Sequence, residues 1–387
     1  MAINKKGVFE TLAHKISNLD SNSSTSVIID TLKAVKKADH NTILSYADSS
    51  GLPTASASNY RLAYINDIGQ LRFNNGLQWD KLVTQLPSKA TVHSLQGSTS
   101  GYTSGGYSPS PATYTNIIDK FSFTSDGDAT DVGDLTVARY GSSGQSSTSH
   151  GYTSSGAVPF SNVIDKFSFT SDGNATDVGD VTEARYGSAG QSSSTHGYAC
   201  GGYLGGDPEN RTNIIEKFPF ATDENVTDVG NLTQIRNGGS GQTSSSHGYT
   251  SGGRTPPNTY VNTVDKFPFS TDTDASDVGD LSLTREYSCG QSSTTHGYAA
   301  GGRRPSYQNT IDKFTFSSDE NATDVGDLST TRAYGAGQSS TSDGYHSGGL
   351  PAPGANVIDK FTFTSDANAS DIGNLTVGRY FVAGQQV

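Results

Sequence analysis

The chain has 387 residues, of which 32% are hydrophobic, and its formal net charge at pH 7 is −12. No stretch approaches the roughly 18 apolar residues that a membrane-spanning helix needs, so we expect no insertion into a membrane. The acidic balance argues against a nucleic-acid partner, because proteins that bind phosphate backbones do so with an excess of Lys and Arg.

The first 20 residues lack the apolar core of a secretory signal, so ordinary export is not expected. Two cysteines cannot form a disulfide framework or a zinc cluster. Cys200 and Cys289 occupy small-residue positions of different copies of the repeat described below. We therefore predict that both are buried thiols.

Charge divides the chain near residue 90. Residues 1–90 have a balance of +3, and the remaining residues have a balance of −15. We accordingly divide the chain into a helical attachment segment over residues 1–50, a small β motif with a linker over 51–91, and a repeat region over 92–387. Together with the sequence patterns described below, this division predicts a mainly β fold with a small N-terminal α+β attachment segment.

The N-terminal part combines predicted helices and strands. Apolar residues recur at helical spacing and predict helices over residues 7–19 and 25–38. Residues 60–82 read as three short strands with turns at Asn66–Asp67 and Asn75–Gly76. The apolar stripes of the two helices are too small to form a core alone, so we expect them to bind a partner.

One unit recurs six times after residue 92. Its marker is a peptide of the form Ile-Asp-Lys-Phe-x-Phe, spaced at 46 to 51 residues. Each copy continues with Asp-Val-Gly or Asp-Ile-Gly, an arginine eight residues later, Gly-Gln, and Gly-Tyr-x-x-(Gly/Ser)-Gly. The acid of the marker peptide is Asp119, Asp165, Glu216, Asp265, Asp312 and Asp359. The arginine is Arg139, Arg185, Arg236, Arg285, Arg332 and Arg379.

A period of about 48 residues fits four short strands, which is the size of one propeller blade. The two rings of Phe-x-Phe lie on one face of a strand, and these pairs hold 12 of the 16 Phe residues. We predict Gly-Gln-Ser-Ser as the inner strand, Gly-Tyr-x-x-Gly-Gly as the second and the marker peptide as the third. Asp-Val-Gly-Asp-Leu lies on or beside the outer strand. The small residues suit strands crowded near a central axis.

The two ends of the repeat region predict how the ring closes. The first unit begins at its second strand near Gly101, whereas the last ends in an inner strand after Arg379. The C-terminal strand should therefore complete the blade that Gly101 begins, which leaves no free sheet edge.

This combination resembles the kelch repeat: an Arg, a glycine-led inner strand, a Tyr-x-x-Gly-Gly strand and a Val-Glu-x-Tyr-like strand. The resemblance covers roughly residues 92–387 and implies a six-bladed, kelch-like β-propeller. Kelch units usually carry a Trp on the outer strand, and these units have none, because the single Trp is Trp79.

Two further patterns resemble structural proteins of tailed bacteriophages. The Leu-Ala-Tyr-x-x-Asp…Gly-x-Leu…Gly-x-x-Trp pattern over residues 60–82 is similar to a small β motif of such proteins. The Asp-Lys-Phe-x-Phe…Asp-Val-Gly-Asp-Leu repeats are similar to those of marine phage proteins. The resemblance implies a virion protein, assembled in the host cytoplasm and exposed on the extracellular particle.

Two sets of residues are candidates for metal ligands. His150, His196, His247 and His296 share one repeat position, but neighbouring blades would hold them too far apart for one ion, so turn residues are favoured. Asp126, Asp128 and Asp131 have the alternating oxygens of a calcium loop but lack its remaining ligands, so Asx turns are favoured. We predict no metal and no cofactor.

No catalytic motif stands out. Each repeat pairs its arginine with several Asp, and a pair present in all six copies is expected to be structural, because an active site normally breaks symmetry. A nucleophile elbow, a P-loop and a His-Glu-x-x-His motif are all absent from the sequence. We therefore predict that the protein is not an enzyme and has no catalytic residues.

The first functional hypothesis is a virion structural protein, such as a tail, fibre or capsid-decorating protein. Residues 1–91 would dock on other virion proteins and support self-association, and the propeller would face outward to attach to a host glycan or receptor. The alternative is a carbohydrate-active depolymerase on a propeller scaffold, which would need a carboxylate pair or metal centre on one face. A cellular kelch adaptor fits the N-terminal region poorly.

The segment between Gly-Gly and the marker peptide differs most among the six copies. In a propeller these segments connect the second and third strands on one face, where loops vary without disturbing the core. Arg303, Arg304 and Tyr307, beside Arg254 of the preceding unit, form a basic and aromatic patch on an acidic body. We predict that this patch binds an anionic glycan or an acidic protein. The alternative is that these loops differ in sequence among the copies without binding a ligand.

Overall fold

The protein is described by a computed structural model. It describes residues 96–206, 210–351 and 354–387, together with four short strands nearer the N terminus. The chain divides into two compact units, Met1–Val92 and His93–Val387. The helices predicted over residues 7–19 and 25–38 lie outside the described residues.

The described strands of the first unit form one sheet. The first two strands pair in parallel, and the remaining neighbours pair antiparallel. The sequence predicted strands within residues 60–82 but not the parallel strand that precedes them. In sheet order, the strands are Leu44–Tyr46, Leu62–Ile65, Gln70–Asn74 and Trp79–Lys81.

The second unit is a six-bladed β-propeller, as the repeats predict. Each blade is a four-stranded antiparallel sheet whose strands follow one another from the axis outward. Every inner strand contacts the inner strands of both neighbouring blades, so the ring is closed. The one helical turn described is a 3-10 turn at Gly354–Asn356.

Each of the four strand positions recurs in all six blades, in the order of blades 1 to 6 as follows. The inner strands are Ala383–Gln386, Ser143–Ser146, Ala189–Ser192, Ser240–Thr243, Cys289–Ser292 and Ala336–Ser339. The second strands are Ser100–Ser104, His150–Ser154, His196–Tyr203, His247–Ser251, His296–Ala300 and Asp343–Ser347. The third strands are Ile117–Ser122, Val163–Ser168, Arg211–Pro219, Thr263–Pro268, Thr310–Thr315 and Val357–Thr362. The outer strands are Thr130–Asp134, Thr176–Asp180, Thr227–Asn231, Ser276–Asp280, Thr323–Asp327 and Ser370–Asn374.

The connection between the second and third strands differs from blade to blade. In blade 3 both strands are lengthened. Blades 1, 4 and 5 carry a small additional hairpin there. Its strand pairs are Tyr107–Pro109 with Ala112–Tyr114, Arg254–Thr255 with Thr259–Tyr260, and Arg303–Arg304 with Ser306–Tyr307.

The C-terminal strand closes the ring, as the sequence predicts. Ala383–Gln386 pairs antiparallel with Ser100–Ser104, so blade 1 joins the two ends of the propeller. Arg379, just before this strand, forms an ion pair with Asp119 of the third strand at 3.0 Å. The closing contact therefore combines backbone pairing with a buried charge pair.

The hydrophobic core consists of six clusters, each lying between two blades. At the first junction, Tyr102, Ile118 and Leu135 of blade 1 pack against Phe167 and Phe169 of blade 2. The same arrangement recurs at the other five junctions. The first ring of each Phe-x-Phe pair is buried between sheets, whereas the second ring is only partly buried in five of the six pairs.

Glycine allows the inner strands to meet at the axis. A Cβ atom on Gly144 would lie 2.1 Å from the carbonyl oxygen of Gly384 in the preceding blade, which is closer than real contacts allow. Glutamine then ties the blades together, because Gln145 Nε2 donates to the carbonyl oxygen of Tyr198 in the next blade at 2.9 Å. Equivalent Gln-to-Tyr bonds occur at all six junctions.

A buried ion pair fixes each connection from one blade to the next. Arg139 and Asp165 are both fully buried, and their closest oxygen and nitrogen are 3.1 Å apart. Asp165 also accepts hydrogen bonds from the backbone and hydroxyl of Thr136. The six pairs are Arg139–Asp165, Arg185–Glu216, Arg236–Asp265, Arg285–Asp312, Arg332–Asp359 and Arg379–Asp119. The expected structural pairing is thus present in every copy.

His346 departs from the repeat inside blade 6. It occupies a second-strand position where the other copies carry Thr or Ala, and it is fully buried. Neither ring nitrogen has a hydrogen-bond partner. The neighbouring Gly335 leaves the necessary space, since a Cβ there would lie 2.2 Å from Nε2. Burial, together with the charge of Arg332, holds the pKa of His346 well below its ordinary value.

Removing residues 379–387 should destabilise the propeller far more than removing residues 1–6. The first truncation exposes an edge of blade 1 and leaves Asp119 buried without Arg379, and breaking a buried pair costs about 3–5 kcal/mol. Melting temperatures of the two truncated proteins provide the measurement. Equal values would show that the C-terminal strand does not secure the ring.

The substitution Phe267→Ala should lower the free energy of unfolding by about 3–5 kcal/mol, since it leaves a cavity between blades 3 and 4. Phe160→Ala is the matched control, because this ring is 42% exposed and its loss should cost about 1 kcal/mol or less. Denaturant titration measures both. Similar losses for the two variants would contradict the buried position of Phe267.

Protonation of His346 should destabilise the fold in acid. Its folded pKa lies well below the ordinary value of 6.5, so the unfolded chain binds the proton more readily and stability falls as the pH drops below about 6.5. His346→Thr, the residue of three other copies, should reduce this loss. Melting curves between about pH 5 and pH 7.5 compare the variant with the wild type. The hypothesis fails if His346→Thr keeps the wild-type dependence of melting temperature on pH.

Candidate functional site

The two faces of the propeller carry different connections between strands. One face carries the connections between second and third strands and those that lead from each outer strand to the next inner strand; we call it the loop face. The variable segments singled out in the sequence all lie on this face. The opposite face carries the shorter turns of the blades.

A closed ring of six backbone hydrogen bonds surrounds the axis at the loop face. The residue two positions after each buried arginine donates its N–H to the equivalent carbonyl oxygen of the preceding blade, at 2.6 to 3.1 Å. All six residues have a left-handed backbone, with φ between 52° and 70°. They are Gly141, Gly187, Gly238, Tyr287, Tyr334 and Phe381.

Three of these six positions carry aromatic rings in a conformation that favours glycine. The rings of Tyr287, Tyr334 and Phe381 meet at the axis, with centroids 4.3 to 5.0 Å apart. The other three positions of this hydrogen-bonded ring are glycines, and a Cβ on Gly238 would lie 3.0 Å from the side-chain ring of Tyr287, which is tighter than most real contacts. The centre of the loop face is therefore asymmetric although its backbone repeats six times.

The residues around this centre break the symmetry further. The residue after each buried arginine forms a backbone bridge with the residue after Gly-Gly in the following blade. Three adjacent bridges contain at least one aromatic residue, the next two contain polar and charged residues, and the last contains two apolar residues. The pairs are Tyr380–Tyr107, Tyr140–Ala157, Tyr186–Tyr203, Asn237–Arg254, Glu286–Arg303 and Ala333–Leu350.

A cavity of about 400 Å³ lies where the aromatic and charged bridges meet. Arg211, Arg254 and Arg303 line it, one from each of blades 3, 4 and 5. Glu286 is the one acidic residue among its described lining residues. Two amides and five aromatic rings complete the lining: Asn237, Asn258, Tyr186, Tyr203, Tyr287, Tyr334 and Phe381.

Short contacts hold Arg211 and Arg303 in place. Arg211 donates from Nε to Asn237 Oδ1 at 2.7 Å and from Nη2 to Asn258 Oδ1 at 2.8 Å. Arg303 donates from Nη1 to the hydroxyl of Tyr334 at 3.1 Å. The cavity is therefore bounded by ordered guanidinium groups rather than by freely moving side chains.

Arg254 and Glu286 set the electrostatics of the cavity. The guanidinium of Arg254 lies over the ring of Tyr260, 5.4 Å from its centroid, and its Nη1 is 3.9 Å from Glu286 Oε1. Burial raises the pKa of Glu286, and the nearby guanidinium groups oppose this shift. Because three guanidinium groups face one carboxylate, the cavity carries an excess of positive charge and suits an anionic ligand.

The structure places the four predicted binding residues in two groups. Arg254 and Arg303 line the cavity, whereas Arg304 and Tyr307 belong to the same hairpin as Arg303 but not to the lining. Binding by all four residues stays a prediction, and the proposal below narrows it to Arg254 and Arg303, which line the cavity. Sequence reasoning missed Arg211 and Glu286. Comparing the residue after each buried arginine among the six copies would have revealed Glu286, whereas Arg211 has no counterpart in the other loops.

The four histidines that share one repeat position make local hydrogen bonds. Nδ1 of His150 lies 2.8 Å from the hydroxyl oxygen of Ser149, and the other three copies have the same contact with Ser or Thr. Burial lowers the pKa of all four rings. Within the described ranges, no three His, Cys, Asp or Glu side chains converge as a metal site would require.

The three acids considered as calcium ligands have separate partners. Asp131 accepts from the N–H of Gly133 at 3.1 Å, as in an Asx turn. Asp126 pairs with Lys360 of the preceding blade, and Asp128 accepts from the N–H of Asn374 at 2.9 Å. Asp126 and Asp128 thereby hold the third-to-outer turn against the neighbouring blade.

Both cysteines are buried free thiols, as predicted. Cys200 donates to Gln191 Oε1 at 3.1 Å, and burial raises the pKa of its thiol to about 12. Burial also raises the pKa of Cys289. Neither is therefore a reactive thiolate at neutral pH.

Comparison with known proteins does not assign the chain to a family. No protein-family model matches the chain, and a search of curated proteins also finds no match. In the part of the chain that the structure describes, no helix has the length and apolar character needed to cross a membrane. The loop face itself is therefore the basis for a functional proposal.

Proposed function

We propose that the chain is a structural protein of a tailed-phage particle, and that its propeller binds an anionic ligand at the loop face. Residues 1–91 dock on other virion proteins and provide any self-association, and the propeller points outward. The similarity of the pattern over residues 60–82 and of the repeats to phage structural proteins supports the particle role. The cavity lined by Arg211, Arg254 and Arg303 supports the binding role.

The observation that carries the binding role is the break in symmetry. The backbone of the loop face repeats six times in its axial hydrogen bonds and its bridges. Only blades 4 and 5 place charged side chains at the bridges, and there Arg254 and Arg303 share one cavity with Arg211 from the loop of blade 3. Neither the core nor ring closure requires these charges, because the other blades fold without them. A ligand site supplies the reason for keeping them together.

The composition of the cavity favours binding over hydrolysis. Glycoside hydrolysis normally uses two carboxyl groups on opposite sides of the scissile bond. Glu286 is the single acid among the described residues that line this cavity. We therefore propose an attachment protein, whose ligand is a host-surface glycan or receptor, rather than a depolymerase.

The particle role predicts that the protein is present in purified virions and accessible from outside. Mass spectrometry of the particles should detect the chain, and gold-labelled antibodies against the propeller should decorate intact particles at one station. A non-structural protein of the same phage is the matched negative control. Absence from the particle would refute the virion role and leave the binding role to be judged separately.

The binding role predicts that removing two cavity charges lowers attachment. The double variant Arg254→Ser and Arg303→Ser should reduce binding of the purified full chain to host cells by about tenfold or more, since two charged hydrogen-bonding groups are lost. Arg304→Ser is the control, because it removes a charge from the same hairpin outside the lining. Thermal melting verifies that both proteins fold. Equal binding by wild type and double variant would refute attachment through this cavity.

A further inference from the structure

A continuous tract of tyrosine rings crosses the loop face over blades 1 to 3 and ends at the cavity. We call it the tyrosine tract, and it consists of Tyr107, Tyr114, Tyr140, Tyr186 and Tyr203. Successive ring centroids are 5.1, 5.5, 5.8 and 5.3 Å apart. Its last two members also line the cavity. The two features therefore form one connected surface.

The rings of this tract are ordered but not fully covered. Tyr114 is 38% exposed, and its ring lies nearly parallel to that of Tyr140, with 15° between the planes. Tyr140 and Tyr186 are half-buried, and burial raises the pKa of Tyr186 to about 12, so its hydroxyl stays neutral. Exposed aromatic faces on a rigid support offer contact area at little cost in conformational entropy.

The backbone of this surface has little left to offer a ligand. At the bridge between Tyr186 and Tyr203, each N–H donates to the carbonyl oxygen of the other residue. The other bridges of the tract are paired in the same way. An extended peptide that binds by strand addition needs free backbone groups along an edge. Recognition here must therefore use side chains: ring faces, guanidinium groups, amides and one carboxylate.

Within the cavity, these side chains match the groups of an acidic sugar. A guanidinium presents parallel N–H donors that fit the two oxygens of a carboxylate. The carboxylate of Glu286 can accept hydrogen bonds from sugar hydroxyls, whereas it would repel a second acidic group placed beside it. The amide of Asn258 is exposed at the rim and provides a further donor and acceptor.

We propose that the ligand of the loop face is a glycan chain containing a carboxylated sugar. The acidic unit occupies the cavity between Arg254 and Arg303, and the adjoining units lie along the tyrosine tract, with their apolar C–H faces on the rings. This inference rests on the proposed binding role and specifies its ligand. In this arrangement the cavity recognises the negative charge of the glycan, and the tyrosine tract makes the affinity depend on the number of sugar units.

Calorimetry with the purified full chain tests the assignment of charge. The probes are a tetrasaccharide that contains a uronic acid, the same tetrasaccharide with its carboxyl groups reduced to alcohols, and tetraglutamate. We expect the uronate to bind about tenfold or more tightly than its reduced form, because a charged hydrogen bond is lost with the carboxylate. Equal binding of the reduced chain would overturn the proposal, and so would equal binding of tetraglutamate.

Single substitutions test the residues. Arg303→Gln should weaken uronate binding about tenfold, while Arg304→Gln, on the same hairpin but outside the cavity lining, should leave it unchanged. Tyr114→Ala should weaken binding of the tetrasaccharide severalfold but not that of the single uronate, because Tyr114 lies along the tract and not in the cavity. Tyr307→Ala is the matched control. Equal effects of Tyr114→Ala on the long and short ligands would refute the tract.

The outcomes separate this inference from the proposed function. If the cavity variants lower attachment to cells but no uronate binds, attachment stands and the acidic-sugar assignment falls. If uronate binds and the variants abolish that binding without changing attachment to cells, the ligand class stands and the attachment role falls.

Discussion

The buried arginine–carboxylate pair at each blade junction is the interaction on which the rest of this propeller depends. In the pair Arg285–Asp312, both side chains are fully buried and the closest atoms are 2.9 Å apart. Because a buried charge without its partner is costly, the arginine can occupy one position only. It therefore fixes the connection between blades and aims the next two residues, in this blade Glu286 and Tyr287, at the bridge and the axis.

This constraint separates the structural residues from those free to acquire a function. The buried aromatic rings of the core and the glycines and glutamines of the inner strands form contacts that recur at every junction, so each copy needs them. The residue after the arginine and the residue after Gly-Gly only need to supply backbone to the bridge. Their side chains point to the loop face and can differ among blades, which is how Arg254, Glu286 and Arg303 come to share one cavity without weakening the ring.

Much of the fold could be predicted from the sequence because its repeats report local structure. The alternation in Phe-x-Phe indicated strands, and the offset between Gly101 and the C-terminal Gly-Gln peptide indicated closure; both are confirmed. The candidate site was predicted only in part. Arg254 and Arg303 drew attention because they lie in variable loops, whereas Glu286 was missed because it follows a repeat arginine and Arg211 because it lies in an unmatched loop.

The sequence by itself determined the number of blades, the order of strands within each and the residues of the core. These properties follow from the period of about 48 residues and from the alternation of side chains, which act over short distances along the chain. Only the tertiary structure decided which arginine pairs with which acid and which side chains share the cavity. Arg211 and Glu286 meet because ring closure sets blades 3, 4 and 5 around one axis, and no local pattern encodes that proximity.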